Sequence, residues 1–234
     1  MRHSVLAVCI AVCSLLANGC SKDINRATAA IVLSVKGRVV FGNAERNDFR
    51  PVTLKSRIHD DDTVRSPDDA SVDLALVPGA LAQLSGNSEI KIEELRIAKD
   101  GNETAGGMRE RSARIRLSRG RIVVLFSPSP SSASQFAIEA RQVTVKPDSD
   151  CLFCVRTDGT TTRVTCAKGN INASVEAQPP VTIAAGYVQQ WPTVRTQPVA
   201  AADDAIAQMD ITAALETEEG LRDEASSWQN RRPF

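Results

Sequence analysis

The chain has 234 residues, with 28 Lys and Arg against 28 Asp and Glu, so its formal net charge at pH 7 is zero. A nucleic-acid-binding protein would carry a basic excess, and a disordered chain would hold fewer apolar residues than the 42% found here. These values predict a globular protein with one domain and a short appendage. Aromatic residues make up only 4% of the chain, so Val, Ile, Leu and Ala must build the core.

The first twenty residues have the pattern of a secretory signal peptide. Arg2 and His3 precede an apolar run at residues 5–16, which is shorter than the roughly 20 residues of a membrane-spanning helix. The run is followed by Ala-Asn-Gly-Cys at residues 17–20, and this ending resembles the lipobox of bacterial lipoproteins. An ordinary signal peptide with a cysteine near its cleavage site is the alternative.

The lipobox resemblance implies that Cys20 is lipidated and that residues 1–19 are removed as a lipoprotein signal peptide. The mature protein would then be anchored in the cell envelope and face the periplasm. Ser21 rather than Asp follows the cysteine, which implies the outer membrane if Gram-negative sorting applies. The signal carries one charged residue, Arg2, so the mature chain stays close to neutral. Residues 20–29 are predicted to be a polar tether.

Residues 30–192 alternate apolar and polar positions in the manner of β-strands, and Gly, Asn and Pro interrupt the alternation. The predicted strands fall on both sides of Gly37 within residues 30–41, and at residues 71–77, 90–92, 113–117, 121–126, 135–139, 142–145, 151–156, 162–166 and 181–183. Residues 99–111 and 127–134 are predicted to be loops, because they are rich in Gly or in Pro and Ser. No helical periodicity interrupts the strands, so the sequence predicts a mainly β, antiparallel-rich body.

A short glycine pattern occurs four times in this region, with uneven spacing. Each copy has Lys, Arg or Ala before the glycine and Val or Ile two residues after it. The four glycines are Gly37, Gly120, Gly169 and Gly186. We expect each of them to adopt a positive φ at a turn or kink between two strands. The uneven spacing excludes a solenoid of identical repeats.

The composition changes after residue 192, where the chain becomes rich in Ala and acidic residues. Residues 193–234 are predicted to form a linker and a C-terminal helical appendage, with Ile206, Met209 and Leu221 as apolar positions. A glycine at position 220 is expected to break or end a helix there. Two roles are open for the appendage: it covers an edge or face of the sheet, or an aromatic residue such as Trp228 docks a partner.

The order of these segments resembles the FecR domain family over roughly residues 30–191. The resemblance rests on a Gly-x-Val strand at residues 35–39, an acidic turn at 58–64, a Leu-x-x-Gly-x-Ile segment at 117–122 and a Val-x-Cys-x-x-Gly-x-Ile return at 164–171. It implies a FecR-like β-sandwich or β-roll at residues 30–192. The family's Gly-Thr pair is replaced here by Asp150-Cys151.

Family members that regulate iron uptake hold a sigma factor through a cytoplasmic helical domain. A lipid-anchored chain that faces the periplasm is expected to lack that domain. The resemblance therefore implies a role on the periplasmic side of the membrane.

Three cysteines would remain after lipidation of Cys20, in a compartment where disulfides persist. If Asp158-Gly159 forms a two-residue hairpin turn, Cys151 lies opposite Cys166 and the two are predicted to form a disulfide. The two cysteines would form a hydrogen-bonded pair. A disulfide forms less easily in such a pair, because the Cα atoms are farther apart than in a non-hydrogen-bonded pair. Cys154 would point to the other face and stay unpaired. Three buried apolar thiols are the alternative.

Motifs for catalysis are missing from the sequence. The mature chain has one histidine, His59, beside the acidic run at residues 60–62, and no nucleophile or metalloprotease motif gives it partners. The acidic run lacks the ligand spacing of a calcium loop, and the cysteines lack a fourth zinc ligand. We therefore predict a protein without enzyme activity, metal or other cofactor. Arg114 and Arg116 share a strand face and are either solvated or in contact with an anionic partner.

The sequence thus predicts a non-enzymatic lipid-anchored envelope protein whose FecR-like domain is a periplasmic binding, scaffold or signalling module. A protein partner in the envelope is expected, and nucleic acid is not. The alternative is a lipoprotein that binds envelope glycan or peptidoglycan. Sugar sites commonly use aromatic platforms, and the few rings of this chain count against it. A degenerate hydrolase is a third possibility.

Overall fold

The computed structural model describes residues 24–99, 108–129, 133–192 and 196–230. The predicted signal peptide and Cys20 lie outside the described residues. The described part contains β-strands followed by one C-terminal helix, so the predicted mainly β, antiparallel-rich fold is confirmed. No helix in these ranges is both long enough and apolar enough to cross a membrane.

The strands are short except for the two long central strands β9 and β10. Their bounds are β1 Ile24–Ala27, β2 Ala30–Lys36, β3 Val40–Asn43, β4 Asp48–Pro51, β5 Arg57–Ile58, β6 Thr63–Ser66, β7 Ser71–Val77, β8 Ala80–Leu84, β9 Ser88–Lys99, β10 Met108–Phe126, β11 Ala133–Ala140, β12 Val143–Pro147, β13 Cys151–Thr157, β14 Thr162–Lys168, β15 Asn170–Val175, β16 Val181–Ala184, β17 Tyr187–Trp191 and β18 Val199–Ala200. A 3-10 turn at Ala201–Asp203 leads into helix α1, Ala205–Asn230.

The strands form two sheets that share β10. Sheet A has the order β4-β3-β6-β9-β10-β11-β12-β15-β16, with β1 beside the far end of β9. Sheet B has the order β5-β2-β7-β8-β10-β13-β14-β17-β18. Every one of these pairings is antiparallel except β10 with β11. The first part of β10 belongs to sheet A and its last part, from Gly120, to sheet B.

The four glycines of the recurring pattern lie where the chain passes from one sheet to the other. Their φ angles are +73° at Gly37, +87° at Gly120, +75° at Gly169 and +81° at Gly186, so the predicted positive φ is confirmed. Gly120 is also held in a close approach, because an added Cβ would lie 2.0 Å from the Oγ of Ser88. Glycine is therefore needed at the point where β10 changes sheets.

The main core lies between the two sheets and is aliphatic. Apart from Phe153, the largest fully buried side chains are Ile and Leu, for example Leu74, Ile92 and Ile115. Burying one such side chain stabilises the fold by roughly 1.5–3 kcal/mol. The core is thus built mainly from many aliphatic residues on short strands and from few aromatic residues.

Helix α1 lies on the outer face of sheet B, so it covers a face of the sheet. Its buried positions follow the helical spacing and are Ala207, Asp210, Ala214 and Leu221. Ala214 and Leu221 pack against Val123 and Leu152 of the sheet. Three other large apolar side chains of the helix face solvent: Ile206 is 41% exposed, Met209 60% and Leu215 42%.

The helix continues through Gly220, where the sequence predicts a break. Glycine costs about 1 kcal/mol in a helix interior. The neighbouring Leu221 is 1% exposed and packs on sheet B, and this tertiary contact holds the helix together.

Strands also extend beyond their predicted ends. Residues 24–27, within the predicted tether, form β1 and pair with residues 96–99 of β9. Residues 108–111, within the predicted loop at 99–111, form the start of β10 and also pair with β9. The long β9 thus supplies hydrogen-bond partners to segments whose sequence lacks strand alternation.

The register of the β13–β14 hairpin differs from the predicted one. Phe153, and not Cys151, pairs with Cys166, so the predicted cross-strand pairing of the two cysteines is wrong. Cys151 lies beside Gly169, whose added Cβ would be 2.9 Å from the Cβ of Cys151. Cys151, Cys154 and Cys166 are buried free thiols in the structure. Cys151 and Cys166 both lie in the main core, and a disulfide between them stays a prediction.

The hairpin turn explains the change of register, because it contains four residues, 158–161, instead of two. The carboxylate of Asp158 accepts hydrogen bonds from the N–H groups of Thr161 at 2.6 Å and Thr160 at 2.7 Å, which stabilise the longer turn. These hydrogen bonds, that of Thr161 first, hold the pKa of Asp158 well below its ordinary value. A bulge beside Leu152 shifts the pairing further.

Candidate functional site: an arginine cleft beside the helix

Three arginines lie side by side on the outer face of sheet B. Arg121 of β10 pairs with Arg156 of β13, and Arg156 pairs with Arg163 of β14. We call these three residues the arginine row. Gln190 of β17 continues it, and Arg163 donates a hydrogen bond to its Oε1 at 2.9 Å. Like charges on directly opposite strand positions are destabilising, so the row needs negative charge nearby.

Helix α1 supplies part of that charge through Asp210, whose side chain is 1% exposed. Arg156 donates to it through Nε and Nη2, and Nη1 of Arg121 lies 3.8 Å from its Oδ1. The hydrogen bond to Asp210 raises the pKa of Arg156. A buried carboxylate is stable only when it is paired in this way.

Asp204 gives the rest of the charge, at the start of the helix. Its Oδ1 accepts hydrogen bonds from the N–H groups of Ile206 and Ala207, both at 3.0 Å, so it is the helix N-cap. Its Oδ2 accepts a hydrogen bond from Nη2 of Arg163. Burial by itself would raise the pKa of Asp204, but the bonds from Ala207 and Arg163 hold it below its ordinary value.

A cleft of about 700 Å³ opens over the arginine row. We call it the arginine cleft, and its lining includes Asp68, Ser85, Asn87, Arg119, Arg121, Arg156, Asp158, Arg163 and Ile206. Arg121 donates to the Oγ of Ser85 through Nε at 3.1 Å and Nη2 at 2.9 Å. The side chain of Arg119 is 56% exposed, and its contact with Glu89 is 3.8 Å long. Four guanidinium groups line the cleft, and the carboxylates of Asp68 and Asp158 in the lining and of Asp204 and Asp210 beside it balance their charge.

This arrangement can recognise anions, because guanidinium groups bind carboxylate and phosphate oxygens with two parallel hydrogen bonds. The thiol that lies beneath the helix is not activated. Burial raises the pKa of the Cys154 thiol far above its ordinary value, and Asp210 raises it further, so this cysteine stays protonated under the helix. Burial likewise raises the pKa of Cys166 to about 11.

The two arginines that the sequence singles out lie elsewhere, on sheet A. Arg114 and Arg116 are both exposed and share a face of β10. Arg114 contacts Glu93 at 3.3 Å and Glu94 at 3.2 Å. Arg116 contacts Glu93 at 2.5 Å and Glu139 at 3.2 Å. Carboxylates of neighbouring strands thus already pair with these arginines, and the predicted contact with an anionic partner is not tested by this geometry.

The acidic run beside His59 builds a turn between β5 and β6. Asp62 accepts a hydrogen bond from the N–H of His59 at 2.8 Å, and Asp60 accepts one from the N–H of Leu95 at 2.8 Å. Asp61 pairs with Lys91 at 3.1 Å. Each carboxylate therefore has a structural partner.

Sequence reasoning missed the arginine row because the row depends on the hairpin register. Arg119 and Arg121 belong to the basic residues of β10, but Arg156 and Arg163 come together only when the turn has four residues. Asp158 followed by Gly-Thr-Thr indicates the longer turn, because an Asp side chain can accept hydrogen bonds from the backbone N–H groups that follow it.

Comparisons with known proteins match part of this chain. Residues 62–172 match the model of the family described as FecR protein. The matched segment begins just before β6 and ends within β15, so it carries the whole arginine row, whereas helix α1 lies outside it. No curated protein matches the chain.

Two solved structures are similar, both of a proposed anti-sigma factor from Parabacteroides distasonis ATCC 8503, at 1.65 Å and 2.50 Å resolution. Each has 11% sequence identity and a TM-score of 0.41. The similarity covers 58% of this chain and 57% of that chain, so this chain spans little more than half of its length.

Proposed function

We propose that this protein is a non-enzymatic, lipid-anchored envelope protein whose β body is a periplasmic binding, scaffold or signalling module. The observation that carries the proposal is the match of residues 62–172 to the FecR family on the segment that bears the arginine row. The family match supports a regulatory or signalling role for this segment. The arginine cleft gives it a surface on which a partner can be recognised.

The proposed anchor at Cys20 would hold the β body close to the membrane. Ile24, the first residue of β1, follows Cys20 by only four positions. An extended chain of that length spans at most about 14 Å. A partner would therefore meet the protein near the membrane surface, and an envelope protein fits this position.

Mass spectrometry of the membrane-extracted protein tests the anchor. We expect a diacylglyceryl-modified Cys20 at the start of the mature chain, and a Cys20→Ser variant that is no longer retained in the membrane fraction. A wild-type protein that is soluble and unlipidated would contradict the anchor.

Chemical crosslinking in native membranes, followed by purification of the full-length protein, tests the partner. We expect a crosslinked envelope protein. Retention of the protein on peptidoglycan, with no crosslinked protein, would favour a glycan-binding lipoprotein and overturn the proposed function.

A further inference from the structure

We propose that the arginine cleft binds an acidic segment of a partner protein, with Arg119 and Arg156 contacting its carboxylates and Ile206 and Met209 contacting an apolar side chain. The inference rests on the proposed function and names the chemistry of the partner. The arginine row already binds two carboxylates of this protein, those of Asp204 and Asp210.

Helix α1 shows that the arginine row accepts carboxylates presented by a peptide chain. Asp204 and Asp210 are six positions apart on the helix, and their side chains bind Arg163 and Arg156. Both contacts are charge-assisted hydrogen bonds to a guanidinium group, which are about twice as strong as neutral ones. The outer part of the same surface presents further guanidinium groups to solvent.

Two arginines of the cleft keep donors for an additional ligand. Asp210 occupies Nε and Nη2 of Arg156, whose side chain is 38% exposed, and the described residues place no partner at its Nη1. Arg119 is 56% exposed, and Glu89, its ion-pair partner at 3.8 Å, is held at 2.9 Å by Arg65. Arg119 is therefore the cation at the mouth of the cleft that is easiest for an incoming carboxylate to reach.

Of the two carboxylates that line the cleft, that of Asp158 competes only weakly with such a ligand. Both oxygens of Asp158 accept hydrogen bonds from Thr160 and Thr161 of its own turn. Asp68 lies on the exposed turn before β7. The open donors of Arg119 and Arg156, and not a net charge of the cleft, thus favour an anionic ligand.

Exposed aliphatic side chains at one rim favour a protein segment over a small anion. Ile206 lines the cleft, and Met209, three positions further along α1 and on the same side of the helix, is 60% exposed. Both are larger than the Ala207 and Ala214 that the helix buries. Apolar anchors surrounded by polar contacts are typical of protein interfaces. A cleft of about 700 Å³ has room for several side chains of an extended segment.

Fluorescence anisotropy with the purified full-length mature protein tests the inference. The probe is a labelled peptide of alternating Glu and Leu, and the matched probe replaces Glu with Lys. We expect the Glu peptide to bind and the Lys peptide not to bind. Arg119→Glu should weaken binding of the Glu peptide roughly tenfold, and raised salt should weaken it further, because rim charges act through screened electrostatics.

Arg114→Glu is the matched control, because Arg114 is an exposed arginine of the same strand that does not line the arginine cleft. It should leave the affinity for the Glu peptide unchanged. Met209→Ser should weaken binding of the Glu-Leu peptide but not of a Glu-Ser peptide. Equal affinities of the wild type and Arg119→Glu for the Glu-Leu peptide, or no binding by either, would overturn the inference. Binding of anionic lipid vesicles that is lost in Arg119→Glu, without peptide binding, would also overturn it.

The inference and the proposed function fail in different ways. If the Glu peptide binds at the cleft but no envelope protein is crosslinked in native membranes, the site stands and the proposed function fails. If an envelope protein is crosslinked equally by the wild type and Arg119→Glu, the proposed function stands and the site fails.

Discussion

Strand β10 carries arginines on both of its halves, and the two halves balance this charge differently. On sheet A, Arg114 and Arg116 pair with Glu93, Glu94 and Glu139 of the same sheet. On sheet B, the arginine row pairs with carboxylates of helix α1. Sheet A is therefore neutralised within the segment 62–172, whereas sheet B depends on an element outside it. The charge balance of sheet B therefore changes when α1 is altered, whereas that of sheet A does not.

Gly120 allows β10 to serve both sheets, and its replacement should have the largest effect. Gly120→Ala would place a Cβ 2.0 Å from the Oγ of Ser88 at a φ of +87°. We expect a loss of about 4 kcal/mol or more in the free energy of unfolding, from backbone strain and overpacking together. Urea unfolding of the purified protein measures it.

Gly159→Ala is the matched control, because Gly159 has the same φ of +87° but no atom within 4 Å of an added Cβ. Backbone strain alone should cost about 1–2 kcal/mol. Equal losses for the two variants would show that the close approach at the crossing point does not matter.

Asp210→Asn should have the next largest effect, because it leaves Arg156 and Arg121 beside a neutral side chain. We expect a loss of about 2–3 kcal/mol, below the range for fully buried pairs since Arg156 is partly exposed. Glu93→Gln on sheet A should cost less than about 1 kcal/mol, because its arginines are exposed. Urea unfolding of both variants compares the two sheets, and a larger loss for Glu93→Gln would contradict the comparison.

The helix should also give sheet B a pH dependence. A second cleft, between α1 and β2, contains Glu224 of the helix facing Asp73, Ser34 and Gln83. Lys36 and Glu216 also line this second cleft. Burial, and then the charge of Asp73, raise the pKa of Glu224 to about 7, against an ordinary value of 4.5. The folded state therefore holds a proton that the unfolded state has released between these values. Stability should fall as the pH rises from 4.5 to about 7.

Thermal unfolding at a series of pH values measures this loss of stability, and Glu224→Gln should abolish it. Below this window the sign reverses, because the carboxyls of Asp204 and Glu218 have lowered pKa values and lose their stabilisation as the pH falls. A wild type whose stability rises steadily from pH 4.5 to 7 would contradict the assignment.

Gly220→Ala should have the smallest effect, and a positive one. An added Cβ would meet no atom within 4 Å, and the position is in the interior of α1. We expect a gain of about 0.5–1 kcal/mol from the better helix propensity of Ala. A loss of stability, measured by urea unfolding, would show that α1 needs a flexible point where it crosses sheet B.

Much of the fold was predictable from the sequence, because alternation and glycine pattern reflect local physics. The predicted strand at residues 71–77 coincides with β7, and the glycines such as Gly37 and Gly186 have the expected positive φ. The face of α1 was not predictable from apolarity, since the helix buries Asp210 and exposes Met209. A carboxylate that is buried against arginines has the same sequence pattern as a solvated one.

The candidate site was less predictable, because it depends on one turn. Asp158 caps a four-residue loop, and the resulting register brings Arg156 opposite Arg163. With a two-residue turn, Arg156 and Arg163 would not occupy opposite positions on the two strands. The position of the arginine row therefore follows from side-chain hydrogen bonds in the turn and not from strand alternation.

Site-specific photocrosslinking in native membranes tests the central claim most directly. One crosslinker replaces Asp68, an exposed residue of the arginine cleft, and the control crosslinker replaces Lys146, an exposed residue of sheet A. The account predicts an adduct with an envelope protein from position 68 only, and loss of that adduct when Arg119→Glu is added. An adduct from position 146 alone, or one from position 68 that persists with Arg119→Glu, would contradict it.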